Sequence, residues 1–407
     1  MSHQPSSPSP TPHFITRRQF TASSIACCAS TSLLASDAKK KFRVGVVGHT
    51  GRGDYGHGLN TMWLGIPEAE IAAVADPVPK GLASATKLLG GVPGFEDYRR
   101  MLKDVKPDLV AIGMRHVDQH HEVAMAAIDA NVRGIYIEKP FCRSPEEADQ
   151  IIAAAKRKNV KVAIAHRNRY HPVLPVLKQL IEEGAIGRLL EYRMRGKEDT
   201  RGGMLDLWVL GSHLVNLVHY FAGPPKACSG TVLIDQRPAK QGDAMPGAEG
   251  IGLMAGNEVH ARFEMTNGVP AFFESIVKAG TVAAGFGLQI IGTEGTIDLR
   301  IDREPLAHIR RGSPFLPTAE VQSWEIVSSH GIGIVEPIEN LGPRVAKHWL
   351  PGEDLIQAIN DDRQPLCSGE DGATTIEMAT AVSTSHLQNG ARIELPHNSR
   401  TNPWLSS

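Results

Sequence analysis

From Lys41 to Ala165, short apolar runs alternate with stretches of helical periodicity, which predicts a parallel, doubly wound α/β sheet. The strands fall at 44–47, 71–75, 109–112, 135–137 and 160–164. Helices are expected between them at 56–64, 79–89, 119–130 and 145–158. After Arg169 the runs lengthen and turns separate them, with strands at 189–195, 228–234, 259–265, 272–278 and 288–291. Gly292-Thr293-Glu294-Gly295 reads as a sheet turn. The second half is therefore expected to be an α+β domain: an open, mostly antiparallel sheet with helices on one face. Residues 314–351 read as loop-rich, and helices over 353–360 and 372–389 close the chain.

The segment before the first strand is not part of this pattern. Thr16-Arg17-Arg18-Gln19-Phe20 leads into a short, mildly apolar run from Ala22 to Leu34, followed by the small residues Ala35-Ser36-Asp37-Ala38. That order of charge, apolar run and small-residue exit is expected of a twin-arginine export signal over 1–38. The route carries folded proteins, so a cofactor can be bound before export, and the twin-arginine machinery becomes an expected partner. The remaining chain divides into 39–165, 166–396 and a tail at 397–407. Lys plus Arg (43) nearly balance Asp plus Glu (44), which argues against a nucleic-acid partner. Of five cysteines, Cys142, Cys228 and Cys367 lie beyond the leader. Their scatter fits neither a disulfide framework nor a zinc site.

Chemistry enters at the first strand. Gly48-His49-Thr50-Gly51-Arg52-Gly53 follows it directly, and glycines there let backbone amides approach a pyrophosphate. Thr50 stands where the second glycine of a G-x-G-x-x-G loop belongs, and Gly51 beside it offers a close approach instead. Asp76 ends the second strand, where an acid accepts from both ribose hydroxyls and repels a 2′-phosphate. Pro77 rather than Arg follows it, which favours NAD over NADP, with Lys80 as the contrary feature.

At Glu138-Lys139-Pro140, after the fifth strand, the chain becomes recognisable. It resembles the Gfo/Idh/MocA family of nicotinamide-dependent oxidoreductases from about Phe42 to about Pro396. The resemblance rests on the order and spacing of Val44-Gly45-Val46-Val47-Gly48, Val74-Ala75-Asp76-Pro77, His121-Glu122, Glu138-Lys139-Pro140, Gly184-Ala185-Ile186-Gly187 and Gly211-Ser212-His213. It implies a Rossmann domain followed by a larger α/β domain. The nicotinamide then lies between them, and the second sheet builds a homo-oligomer interface. Gly48, Thr50, Gly51, Arg52, Gly53, Asp76, Met114, His121, Glu138 and Lys139 are the cofactor-binding candidates this implies.

The catalytic candidates are Lys139, His213 and Asp206. A strand-end ammonium at Lys139 points into the crevice, where it stabilises a developing alkoxide. His213 is the candidate general base. Family members usually carry an Asp four residues earlier, where this chain has Val209, so Asp206 two turns back becomes the candidate partner. Asp206, His213 and Asn216 are expected to form one polar stripe. Arg167, Tyr170, Trp208 and Asn216 are the substrate-pocket candidates, with a core role open for Trp208. His116, His120 and His121, with Asp118 or Glu122, invite a metal reading, but no second ligand pair at fixed spacing supports it. Three functions follow. The first is an exported carbohydrate or polyol dehydrogenase with tightly held NAD. The second is redox-neutral glycoside cleavage through transient sugar oxidation. The third, motivated by Val209 and Thr50, is a sugar-binding relative without catalysis.

Overall fold

The computed structural model describes residues 40–279 and 286–405. The expected export signal at 1–38 lies outside them. Six parallel strands form the first sheet: β1 (Phe42–Val47), β2 (Ala69–Ala75), β3 (Gly94–Phe95), β4 (Leu109–Ile112), β5 (Gly134–Ile137) and β6 (Lys161–Ile164). Their order, β3-β2-β1-β4-β5-β6, reverses direction between β1 and β4, where Val47 pairs with Ile112. Every residue of β4, β5 and β6 is buried, because helices cover both faces of a parallel sheet. A crevice opens at the reversal, beyond the carboxyl ends of the strands.

Helices at Pro79–Leu88, His120–Asp129 and Pro145–Lys158 match the helical periodicity. The last begins with the Ser144 hydroxyl accepting from the Glu147 amide and Pro145 in its first turn, and stops at left-handed Asn159. The helix expected over 56–64 is absent. Consecutive turns run through Gly51, Gly53, Gly56 and Gly58, all at positive φ, and only a 3-10 turn, Met62–Gly65, follows. A helix cannot pass through left-handed residues. Helices Tyr98–Val105, Val173–Glu182 and Leu341–Ala346 escaped the periodicity.

The second sheet is mixed and mostly antiparallel. Leu189–Arg195 lies at its middle, parallel to Pro270–Ile276 on one side and antiparallel to Gly287–Gly292 on the other. Glu258–Met265, Pro225–Ile234 and Ile393–Glu394 extend it one way. Gly295–Arg300, Ala307–Arg311, Glu325–Ser328 and Gly331–Ile332 extend it the other. The turn at Thr293-Glu294 joins an antiparallel pair, as its residues predict. Helices Ser212–Ala222 and Gly369–Leu387 pack on one face. The opposite face carries charged and polar side chains, among them Glu191, Arg193, Glu274 and Gln289, around a shallow depression of about 540 Å³. Residues after Pro396 do not hang free: Trp404 is buried and donates to Ser383 (2.9 Å), and Arg400 pairs with Asp149 and Glu377. Among the described residues, no helix is long and apolar enough to cross a membrane.

Candidate active site

The crevice is assembled from several separate chain segments around Glu138 and Lys139. β5 runs buried into Glu138 and Lys139, both closed off from solvent. The Lys139 ammonium donates to the Val209 carbonyl at 2.9 Å. That carbonyl is available because Leu207–Gly211 forms a wide π-turn between Met204–Asp206 and Ser212–Ala222. Burial lowers the Lys139 pKa and the Glu138 carboxylate beside it opposes that shift. Glu138 in turn accepts from the Lys139 amide (2.6 Å) and the His57 ring. Burial pushes the Glu138 carboxyl up, but the His57 hydrogen bond, the His57 charge and the Lys139 charge outweigh it and hold the group ionised.

His213 lies beside this pair, and its neighbour is not the expected acid. Its Nδ1 faces His166 Nδ1 at 3.4 Å, with the two rings edge to face. Burial drives the His213 pKa well below its ordinary value, helped by the charges of His166 and Lys139. Burial and the Lys139 charge likewise bring His166 down to about 3. Both rings are therefore neutral at physiological pH, and the tautomer sets which of the facing nitrogens donates. If His213 donates, its Nε2 keeps a lone pair and is a base. His166 is thus the ring that packs against His213 and faces its Nδ1.

Asp206 takes no part in that contact. Its carboxylate accepts from Ser275 Oγ (2.7 Å) and the Glu198 amide (2.9 Å). The expected stripe of Asp206, His213 and Asn216 does not form, because the π-turn adds a residue and shifts the phase of everything after it. Asn216 is fully buried and donates to Cys367 Sγ (3.6 Å) and Thr375 Oγ1 (3.4 Å), joining two helices. Tyr170 is buried against the Cys367 carbonyl (3.4 Å) and Trp208 is 7% exposed, so both belong to the packed interior. Arg167 remains at the site: it binds Asp302 (2.9 Å) and the Ala346 carbonyl (3.0 Å), drawing two distant loops to the crevice.

Those loops deliver His348, which nothing in the sequence pattern singles out. It is buried, and the Tyr136 hydroxyl lies 2.6 Å from its Nδ1. Burial and the nearby Glu138 hold the phenol protonated, so it donates. Burial lowers His348 to about 3, leaving a neutral ring whose Nε2 carries the proton and has no hydrogen-bond partner among the described residues. His57 was equally unmarked, since a lone His within a glycine run carries no periodicity.

The glycine loop lies over the carboxyl end of β1. A side chain at Gly53 would meet the Arg115 backbone nitrogen at 2.6 Å, so only glycine passes there, and its φ of +84° agrees. Arg52 pairs with Asp118 (2.5 Å), and the Gly51 amide is held by Asp54 (2.9 Å). Beside the loop a pocket of about 200 Å³ is lined by Val47, Gly48, Asp76, Asp97, Met114 and Gln119, which suits a nucleoside. His120, not His121, is the buried member of its cluster. Its ring nitrogens face the carbonyls of Pro140 (2.9 Å) and Met114 (2.7 Å), clamping the ends of β4 and β5 together. Among the described residues no group of three His, Cys, Asp or Glu side chains is placed to hold a metal.

Known proteins place this architecture. Residues 42–166 match the description "Oxidoreductase family, NAD-binding Rossmann fold", and residues 178–395 match "Oxidoreductase family, C-terminal alpha/beta domain". A levoglucosan dehydrogenase of Pseudarthrobacter phenanthrenivorans is 28% identical over 294 residues, covering 63% of this chain and 74% of the relative. A D-apiose dehydrogenase of Paraburkholderia graminis is 22% identical, covering 82% of this chain and 85% of the relative. The solved levoglucosan dehydrogenase complex with NADH and L-sorbose superposes at a TM-score of 0.69 with 22% identity, over 88% of this chain and all of that one. At that identity the superposition speaks to the fold. Taken with the two matched regions, which span both sheets, it leaves one conclusion: the chain belongs to the Gfo/Idh/MocA family of nicotinamide-dependent oxidoreductases.

Proposed function

We propose that this protein is an exported dehydrogenase of carbohydrate or polyol CH–OH groups that keeps NAD bound. The observation carrying the proposal is the buried Lys139 ammonium beside two neutral histidines at the switch-point crevice. Relatives named for levoglucosan and D-apiose support a sugar substrate. The nucleoside pocket, the glycine loop and Asp76 are the residues that would hold the dinucleotide. A nicotinamide, when bound, supplies the acceptor for the carbinol hydrogen and its electron pair.

The chain's own groups handle the oxygen and the proton. Lys139 holds the substrate oxygen and stabilises the alkoxide as charge develops, an effect strengthened by burial. His213, kept neutral chiefly by burial and packed against His166, takes the hydroxyl proton. Arg167 and the Nε2 proton of His348 are donors for further substrate hydroxyls. The polar outer face of the second sheet is the surface on which copies of the chain would pair. The export expectation adds a constraint, since a protein outside the cytoplasm has no free nicotinamide pool to draw on.

Incubation with candidate sugars and analysis of both products tests this reading. Net formation of a keto-sugar with reduction of the nucleotide is the expected result. Release of free sugar from a glycoside, with no net change in the nucleotide, would instead establish redox-neutral cleavage at the same site.

A further inference from the structure

Asp76 is fully buried at the end of β2, and its hydrogen-bonding capacity is already filled by the chain. The Thr50 amide donates to both its oxygens (3.2 and 3.1 Å) and the Val78 amide to one (2.9 Å). The Thr50 hydroxyl donates at 2.7 Å and the Tyr55 hydroxyl at 3.0 Å, both to Oδ2. Burial and the Asp76 charge keep the Tyr55 phenol protonated, so it is a donor here. A carboxylate offers about four lone-pair sites, and these four donors take them. A ribose cannot be recognised at this carboxylate unless two donors leave.

Which two can leave is decided by covalent structure. The Thr50 and Val78 amides are fixed by the main chain, whereas the two hydroxyls sit on side chains that rotate. A ribose presents two adjacent hydroxyls. We propose that the Thr50 and Tyr55 hydroxyls occupy the positions on Asp76 that the 2′- and 3′-hydroxyls of an adenosine ribose take, making them an internal competitor that sets cofactor affinity and selectivity. The proposal rests on reading the crevice as a dinucleotide site.

Both hydroxyls have seats shaped for them. Thr50 packs against Gly81 at the start of helix Pro79–Leu88, where any Cβ would collide with the Thr50 hydroxyl. The Tyr55 ring lies on Gly48, where a Cβ would collide with the ring. The departure of Thr50 from the glycine pattern thereby acquires a role. A nucleotide with an intact diol replaces both hydroxyls in kind. One with a 2′-phosphate supplies a single hydroxyl and sets a second negative charge beside Asp76, so the exchange disfavours it.

The test is equilibrium binding of NADH, read by nucleotide fluorescence, to the protein without residues 1–38 and to its Tyr55→Phe, Thr50→Val and doubly substituted forms. All are first stripped of endogenous nucleotide by unfolding and refolding and shown by absorbance to be nucleotide-free. Each substitution removes one competitor and leaves Asp76 short of a partner that NADH can supply. Each is therefore expected to tighten NADH binding on the order of tenfold. The gain should shrink for an analogue built on 2′-deoxyadenosine. NADH binding by all forms with no gain, or with weakening, overturns the competitor and leaves the dinucleotide site standing. No NADH binding by any form overturns both. Tyr55→Phe removes only an oxygen, so it carries the test should a Thr50 variant fail to fold.

Discussion

The Lys139 ammonium donates to the Val209 carbonyl at 2.9 Å, across 70 residues of chain. Position 209 therefore serves the site through its main chain, while its valine side chain packs in the apolar core. The π-turn Leu207–Gly211 frees that carbonyl and seats the ammonium. Replacing Lys139 with Met removes the charge at little cost in volume. Turnover should fall by roughly 10²–10³, matching the loss of one donor to a developing oxyanion. Nucleotide bound per chain should not change, because the glycine loop and Asp76, not Lys139, would hold the adenosine and pyrophosphate. Full activity of this variant on the true substrate would remove Lys139 from the chemistry.

His213 fixes the acid side of the activity profile. As a base it must be neutral, and burial places its pKa well below 6.5. The kcat/KM profile should stay level down through pH 6.5 and fall only at lower pH. On the alkaline side activity should fall as Lys139 loses its proton, at a pH below 10.5 because burial lowers that pKa. His213→Ala should lose roughly 10²–10⁴ in kcat/KM. His166→Ala should lose less and move the acid limb upward, since burial is the main cause that depresses His213 and the variant loosens that burial and removes the His166 charge that adds to it. An acid limb unmoved in that variant would show that His166 only fills space.

Three buried rings also set acid stability. His166 and His348 are brought to about 3 and His213 well below its ordinary value, chiefly by burial. Unfolded histidines take protons below about pH 6.5, which these folded rings refuse. Stability should be complete above that pH and decline as pH falls toward 3. Up to three protons give a limiting slope of about 4 kcal/mol per pH unit. Asp206, whose carboxyl burial raises, offsets part of it. Thermal unfolding of His348→Gln between pH 7 and 5 should fall less steeply than that of the parent chain. Equal slopes would mean that the His348 ring is not held neutral.

Much of this framework was legible in residue order. Short β-branched runs with helical stretches between them specify a parallel sheet because both its faces are buried, and Lys139 followed from its place at a strand end. What escaped is instructive. Asp206 looked like a partner of His213 because seven residues make nearly two α-turns, and a single π-turn spoils that count. His166, His57 and His348 come from a strand exit, a glycine run and a loop, where no periodicity exists to mark them. Thr50 looked like a defect in a glycine motif, whereas its hydroxyl fills a specific place on Asp76.

The proposed export signal at 1–38 makes an independent prediction. Arg17 and Arg18 precede a mild apolar run, the arrangement of the twin-arginine route. Changing both to Lys should leave the folded protein in the cytoplasm with its leader attached, as cell fractionation and intact mass would show. Processed protein outside the cytoplasm in that variant would refute this route.

The central claim is that the chain holds NAD at the crevice built by Gly48, Asp76 and Lys139. The most direct measurement is denaturation of the purified mature protein and enzymatic assay of the nucleotide it releases. The expected result is NAD or NADH near one per chain. Release of NADP alone, or of no nucleotide from protein purified in its folded, exported form, would contradict it.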